Sequence, residues 1–163
     1  MDDGRTEGTM QLYLVQHGPA LSEDQDPTRP LSKVGLHLAK RSAAHAARLG
    51  VRVSEIRHSD KLRAAQTARE FEAALAAPRR ETEGLHPNDD VSRLRRDVQS
   101  LDDNLLIVGH LPFLVRLAAA LLCQDESMPV VAFQQAGIVR LDRDEGGRWS
   151  LMWAIPPDIM PED

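Results

Sequence analysis

The sequence predicts an α/β domain of three layers, with helices on both faces of a mostly parallel central sheet and antiparallel strands at its C-terminal end. Three features carry that expectation. Gln11–Val15 and Leu105–Val108 are short, nearly continuous apolar runs, as strands buried on both faces require. Segments of helical period lie between them. In the C-terminal third Trp149, Leu151, Trp153 and Ile155 alternate with smaller or polar residues, the period of a half-buried strand. A chain of 163 residues is long enough for one core and short for two.

Each element has its own local signal. Residues 1–9 are polar and aperiodic and read as a loose tail; the folded domain is expected over 10–157, with a C-terminal tail at 158–163. Strand 11–15 is followed by a loop-like stretch from His17 to Pro30 that holds Gly18 and three prolines. Ser32 caps a helix that stops at Gly50. A strand at Ser54–His58 leads to Ser59 or Asp60 as the cap of a second helix, where Ala64, Ala68, Phe71 and Leu75 recur at helical spacing. Glu81–Leu85 is a marginal strand, and Asp89 or Ser92 opens a third helix whose Arg93, Arg95 and Arg96 form a solvated face. Leu105–Val108 breaks at Gly109-His110, and Pro112 sits where a first helical turn tolerates it. The helix through Leu122 is apolar nearly all round, hence buried. Val130–Phe133 and Ile138–Leu141 read as strands, and Asp144–Gly147 as the turn before the last one.

Composition narrows the function classes. A net charge of −5 argues against a nucleic-acid partner, so any anion site must be built from a few placed cations. The lone Cys123 cannot close an internal disulfide, which fits a reducing cytoplasm; at the end of an apolar helix it reads as a buried structural thiol. The N-terminus has no apolar signal core and no run reaches membrane length, so the expectation is a soluble, cytoplasmic protein without a membrane partner.

Two histidines share one setting. His17 follows the first strand and precedes a glycine; His110 follows strand 105–108 and a glycine. In open α/β sheets ligands bind beyond the carboxyl ends of the strands, so both histidines belong in that crevice. Arg63, in the first turn of the second helix, runs against the helix dipole, which hints at a compensating anion. Arg29 adds a cation on the loop after the first strand, and a planar guanidinium suits phosphate. No ligand cluster suggests a metal.

The ordered set of motifs resembles the histidine phosphatase (phosphoglycerate mutase-like) superfamily, in particular its short SixA-like phosphohistidine phosphatase branch. Leu14-Val15-Gln16-His17-Gly18 is similar to the Arg-His-Gly signature, and Arg29-Pro30-Leu31-Ser32 with Gly35 to the helix start that follows it. His58-Ser59 through Thr67 resembles the branch's second block, and Val108-Gly109-His110-Leu111-Pro112 its second histidine motif. The match covers nearly the whole chain past Met10.

The resemblance implies roles. His17 would attack phosphorus and become transiently phosphorylated; Arg29, Arg63 and His110 would hold the phosphoryl oxygens; no cofactor or metal would be needed. The implied substrate is a phosphohistidine protein, with a small phosphorylated metabolite as the alternative. Gln16 departs from the pattern, because it stands where the signature has arginine. Glutamine still reaches phosphate as a neutral donor, worth about 1 kcal/mol against about 1.5–3 for a charged one. That substitution leaves open a third reading, a phosphate- or phosphoprotein-binding module. His58 could restore part of the charge, although a surface histidine at a strand end is the plainer reading. Glu83, Asp89 and Asp90 are the acids within reach for an ester's leaving group, and their segment reads more as a loop with a helix cap.

Overall fold

The computed structural model describes residues 9–162, so the expected N-terminal tail lies, but for Thr9, outside the described residues. Ten regular elements and a final 3-10 turn follow in order: β1 (Met10–Gln16), α1 (Lys33–Arg48), β2 (Glu55–His58), α2 (Leu62–Leu75), β3 (Arg79–Glu81), α3 (Ser92–Ser100), β4 (Leu105–Gly109), α4 (Phe113–Cys123), β5 (Ile138–Arg143), β6 (Trp149–Ile155), and the turn Pro157–Ile159. The six strands form one sheet in the order β3-β2-β4-β1-β5-β6. β1, β2, β3 and β4 are parallel, whereas β5 and β6 join antiparallel at the β1 side.

Strand alternation divides the core into two layers. Leu12, Leu14, Leu105 and Ile107 face α3 and α4, where Leu94, Val98, Phe113, Leu114 and Leu117 meet them. Tyr13, Val15, Leu106 and Val108 face α1 and α2, where Ala43, Ala46, Ala64, Ala68 and Phe71 pack. The small residues on α1 and α2 let these helices lie close together over the sheet. Ser32 caps α1 as expected, its side chain accepting Gly35 N–H at 3.0 Å.

Several expectations need correction. β3 lies at 79–81, not 81–85: it is a charged, exposed edge strand without an apolar signal, and the buried Leu85 belongs to the following loop. Val130–Phe133 is no strand. β4 and β5 take both sides of β1, and the segment joins neither edge of the sheet; it buries only Val131. α2 starts after Lys61 with no side-chain cap, and the Ser59 hydroxyl instead accepts Lys61 N–H at 3.3 Å; α3 does open at Ser92, whose N–H Asp90 accepts at 2.9 Å. Cys123 is exposed rather than buried, because it occupies the last residue of α4.

The alternating residues of β6 do not share a face either. A bulge opposite Arg140/Leu141 makes Met152 the extra residue, so Trp149 packs with α3 and α4 while Trp153 and Ile155 pack on the opposite layer. At the C-terminus, residues expected to trail from 158 are tied down: Met160 is buried, and its carbonyl accepts from Arg41 of α1. Among the described residues no helix is long and apolar enough to cross a membrane, and no group of three or more His, Cys, Asp or Glu is placed to hold a metal ion.

Candidate active site

Parallel pairing of β1 with β4 sets Gln16 beside Gly109, and the residues that follow, His17 and His110, are therefore neighbours. Their rings stand 5.1 Å apart between centroids, tilted by 53°. The backbone continues the pairing, with His17 N–H donating to the Gly109 carbonyl at 3.0 Å.

His17 is 7% exposed, and its Nδ1 lies 2.7 Å from the Gly18 carbonyl. A carbonyl only accepts, so Nδ1 carries the proton and Nε2 keeps its lone pair. The loop behind it is locked. Gly18 N–H donates to the Thr67 hydroxyl at 3.1 Å, which itself donates to the Arg63 carbonyl at 2.8 Å. Leu31 N–H donates to Gln66 Oε1 at 2.7 Å, and the Ser32 hydroxyl and amide both donate to the Pro19 carbonyl, at 3.2 and 3.0 Å. Gly35 has to be glycine here: a Cβ would stand 1.8 Å from the Pro19 oxygen.

His110 is held from β2. Its Nε2 lies 2.6 Å from the Ser59 hydroxyl. That oxygen also accepts Lys61 N–H at 3.3 Å, and with a second lone pair and its own proton it can pair with His110 in either tautomer. Among the described residues, His110 Nδ1 and Arg63 Nε are buried without a hydrogen-bond partner. A buried polar atom left unpaired costs about 1–3 kcal/mol unless a bound group pairs with it.

The charges around this crevice are positive. Burial, with Arg63 and Arg29, pushes His17 down to about 4, against a weaker pull upward from the Gly18 carbonyl. Burial, with His17 and Arg63, pushes His110 down to about 3. Burial and the Arg29 charge lower Arg63 as well. Arg29 reaches in from the loop with φ 46° and its Nε on the Leu21 carbonyl at 3.0 Å. The result is two neutral imidazoles beside two guanidiniums.

The remaining candidates fall elsewhere. Gln16 is 9% exposed; strand alternation turns its side chain to the Leu12–Leu14 face, away from Val15, and its carbonyl accepts Ala136 N–H at 2.8 Å. His58 is not a surface residue but 2% exposed, with Nδ1 on the Ser59 carbonyl at 2.8 Å and Nε2 facing Arg79 Nη1 at 3.4 Å. Its Nε2 is thus turned to Arg79 of β3. Asp89 accepts His86 N–H at 2.9 Å and Asp90 serves Ser92, whereas Glu83 is exposed beside a cleft. Ser59, Gln66 and Thr67 were visible in the sequence only as members of a motif; their work as braces needed the tertiary contacts.

No family model and no curated protein matches the chain. Solved structures do. The protein histidine phosphatase SixA complexed with tungstate is 28% identical, over 91% of this chain and 98% of that one, with a TM-score of 0.81. The chain's structural neighbours are SixA-like phosphohistidine phosphatases and other members of the histidine phosphatase superfamily. Its fold is shared with a mycobacterial glucosyl-3-phosphoglycerate phosphatase, 18% identical over 88% of this chain and 97% of that one with a TM-score of 0.73. It is shared equally with the alpha-ribazole phosphatase from Shigella flexneri, 18% identical over 94% of this chain and all (100%) of that one, also with a TM-score of 0.73. Within this histidine phosphatase fold, the crevice at the carboxyl ends of β1, β2 and β4 gathers His17, His110, Arg63 and Arg29.

Proposed function

We propose that the chain hydrolyses phosphohistidine on a protein by passing the phosphoryl group through His17. The carrying observation is the pair of buried nitrogens without a partner among the described residues, His110 Nδ1 and Arg63 Nε, beside a neutral His17 whose proton is fixed on Nδ1. The lone pair of His17 Nε2 forms a bond to phosphorus while the bond to the substrate nitrogen breaks. Arg29, Arg63 and His110 take the charge spread over the phosphoryl oxygens. Water then attacks phosphorus, the His17 bond breaks, and phosphate leaves with the free imidazole restored. A tungstate complex of the SixA structure supports the oxyanion assignment by analogy, since tungstate is tetrahedral like phosphate.

A small phosphate ester is the second reading, supported by the fold shared with metabolite phosphatases. The two differ in the leaving group. An alkoxide needs an acid at the bridging oxygen, whereas imidazole departs readily once its ring is protonated. Of the acids weighed from the sequence, Asp89 and Asp90 are committed to backbone amides. Turnover of a phosphohistidine peptide, set beside phosphoserine and sugar phosphates, tests the assignment. The expected order is phosphohistidine first, activated aryl esters next, alkyl esters last; faster alkyl-ester turnover would favour the metabolite reading.

A further inference from the structure

One ionic pair stands at the edge of this crevice and takes no part in the steps above. Asp60 directly follows Ser59, whose hydroxyl meets His110, and the Asp60 carboxylate takes His86 Nε2 at 2.6 Å. His86 lies on the loop between β3 and α3, and that loop is firmly held. Asp89 accepts the His86 backbone N–H at 2.9 Å, and Arg116 of α4 donates to the carbonyls of Pro87 and Asp89 at 3.2 and 2.8 Å. The His86 side chain is 47% exposed and lines, with Asp60, Glu81, Thr82 and Glu83, a cleft of about 500 Å³. The charges near it are Asp60, Glu81 and Glu83 along the cleft and Lys61 on the α2 side; His86 and Lys61 both act on His110. The hydrogen bond from His86 lowers Asp60 below the usual carboxylate range. With Nε2 taken, Nδ1 is the ring nitrogen free to exchange a proton.

We propose that His86, oriented by Asp60, is the proton donor to the departing imidazole of the substrate. This rests on the phosphohistidine reading. As His17 Nε2 bonds to phosphorus, the P–N bond to the substrate breaks and its electron pair stays on that nitrogen. The His86 Nδ1 proton moves to the other ring nitrogen, so the leaving group departs as neutral imidazole. In the second step the attacking water loses a proton, which restores His86. Phosphohistidine favours a donor at the rim rather than on the floor of the site, because the proton goes to the ring nitrogen remote from phosphorus.

The test compares leaving groups and pH in the full-length protein. Near pH 8 the substrate ring is unprotonated and His86→Gln should cut kcat/KM on a phosphohistidine peptide about a hundredfold, the usual size for a general acid. Near pH 5.5 solvent protonates the ring, whose ordinary value is about 6.5, and the deficit should shrink below about tenfold. On p-nitrophenyl phosphate, whose leaving group needs no proton, the deficit should stay within a few-fold, and Asp60→Asn should show the same pattern more weakly. Equal losses on both substrates at both pH values would make His86 merely structural, and no loss would make it a bystander; either overturns the proposal. Failure of the unsubstituted protein to turn over phosphohistidine would instead overturn the functional reading itself, and the donor role with it.

Discussion

His17 and His58 begin alike and end differently. Each closes a parallel strand, each is buried, and each donates Nδ1–H to the carbonyl of the next residue, at 2.7 and 2.8 Å. The local device is therefore the same: it fixes the proton on Nδ1 and presents Nε2. What differs is what the fold brings opposite. Arg79 of edge strand β3, itself held by Glu72 at 3.3 Å, faces His58 Nε2. β4 lies between β1 and β2 and brings His110 against His17, while α2 carries Arg63 and the loop before α1 carries Arg29 beside it. On the proposed mechanism, a strand-end histidine becomes a nucleophile through its neighbours across the sheet, not through its own turn.

Exchanging the two histidines for other residues gives the largest contrast. His17→Ala should lower turnover of a phosphohistidine peptide by about a thousandfold or more, since the attacking atom is gone. His58→Asn should retain turnover within about tenfold. Comparable losses in the two variants, measured by steady-state kinetics with folding checked by circular dichroism, would erase the distinction.

Their cationic neighbours should differ in the same sense. Arg63→Gln removes a charge-assisted hydrogen bond of about 1.5–3 kcal/mol, so vanadate or tungstate should bind roughly ten- to a hundredfold more weakly. Arg79→Gln should change oxyanion binding less than about threefold, as its guanidinium serves His58 and Glu72. Isothermal titration reads both values directly.

The contrast also predicts a pH profile. Burial with the nearby arginines lowers His17 to about 4, and burial with His17 and Arg63 lowers His110 to about 3. Both rings are neutral in the folded protein where a free histidine, near about 6.5, takes up a proton. The acid limb of kcat/KM should accordingly fall near pH 4, with activity kept at pH 5.5. Stability follows the same groups. Between about 6.5 and these lowered values the unfolded chain binds protons that the folded chain excludes, so stability is full above 6.5 and declines as pH falls. For His17 alone the decline amounts to about 3 kcal/mol, and urea unfolding at pH 7 and pH 4.5 should show part of it, diminished in His17→Ala.

The smallest effect concerns Gln16. Its side chain lies on the Leu12–Leu14 face, so Gln16→Arg should strengthen oxyanion binding no more than about threefold unless the new guanidinium bends around the strand end. A hundredfold gain would mean that the position points into the crevice after all, and that the alternation argument fails there.

These contrasts also mark what could be read in advance. β1, β4 and α4 were legible because strands buried on both faces and an all-round apolar helix leave continuous hydrophobic runs. α1 was legible from Ser32 and Gly50. β3 was not, because an edge strand of Arg79, Arg80 and Glu81 needs only backbone pairing and carries no apolar residue. Val130–Phe133 misled for the opposite reason, being apolar and rich in valine yet paired with no strand of the sheet. The bulge at Met152 was invisible, since one inserted residue reverses the faces without disturbing the alternation. In the site, His17, His110, Arg29 and Arg63 were identified as candidates from strand ends and motif order. Ser59 as the partner of His110, and His86 on Asp60, are separated by 51 and 26 residues from those partners and depend wholly on tertiary structure.

The central claim is that His17 carries the phosphoryl group, and trapping it is the most direct test. Rapid quenching during turnover of a labelled phosphohistidine peptide should capture one phosphoryl group per chain on a peptide containing His17. The bond should survive alkali and be lost in acid, as a phosphoramidate does, and no label should appear in His17→Ala. Label on any other residue, or steady turnover with no trapped intermediate in a quench fast enough to resolve a single cycle, would contradict the account.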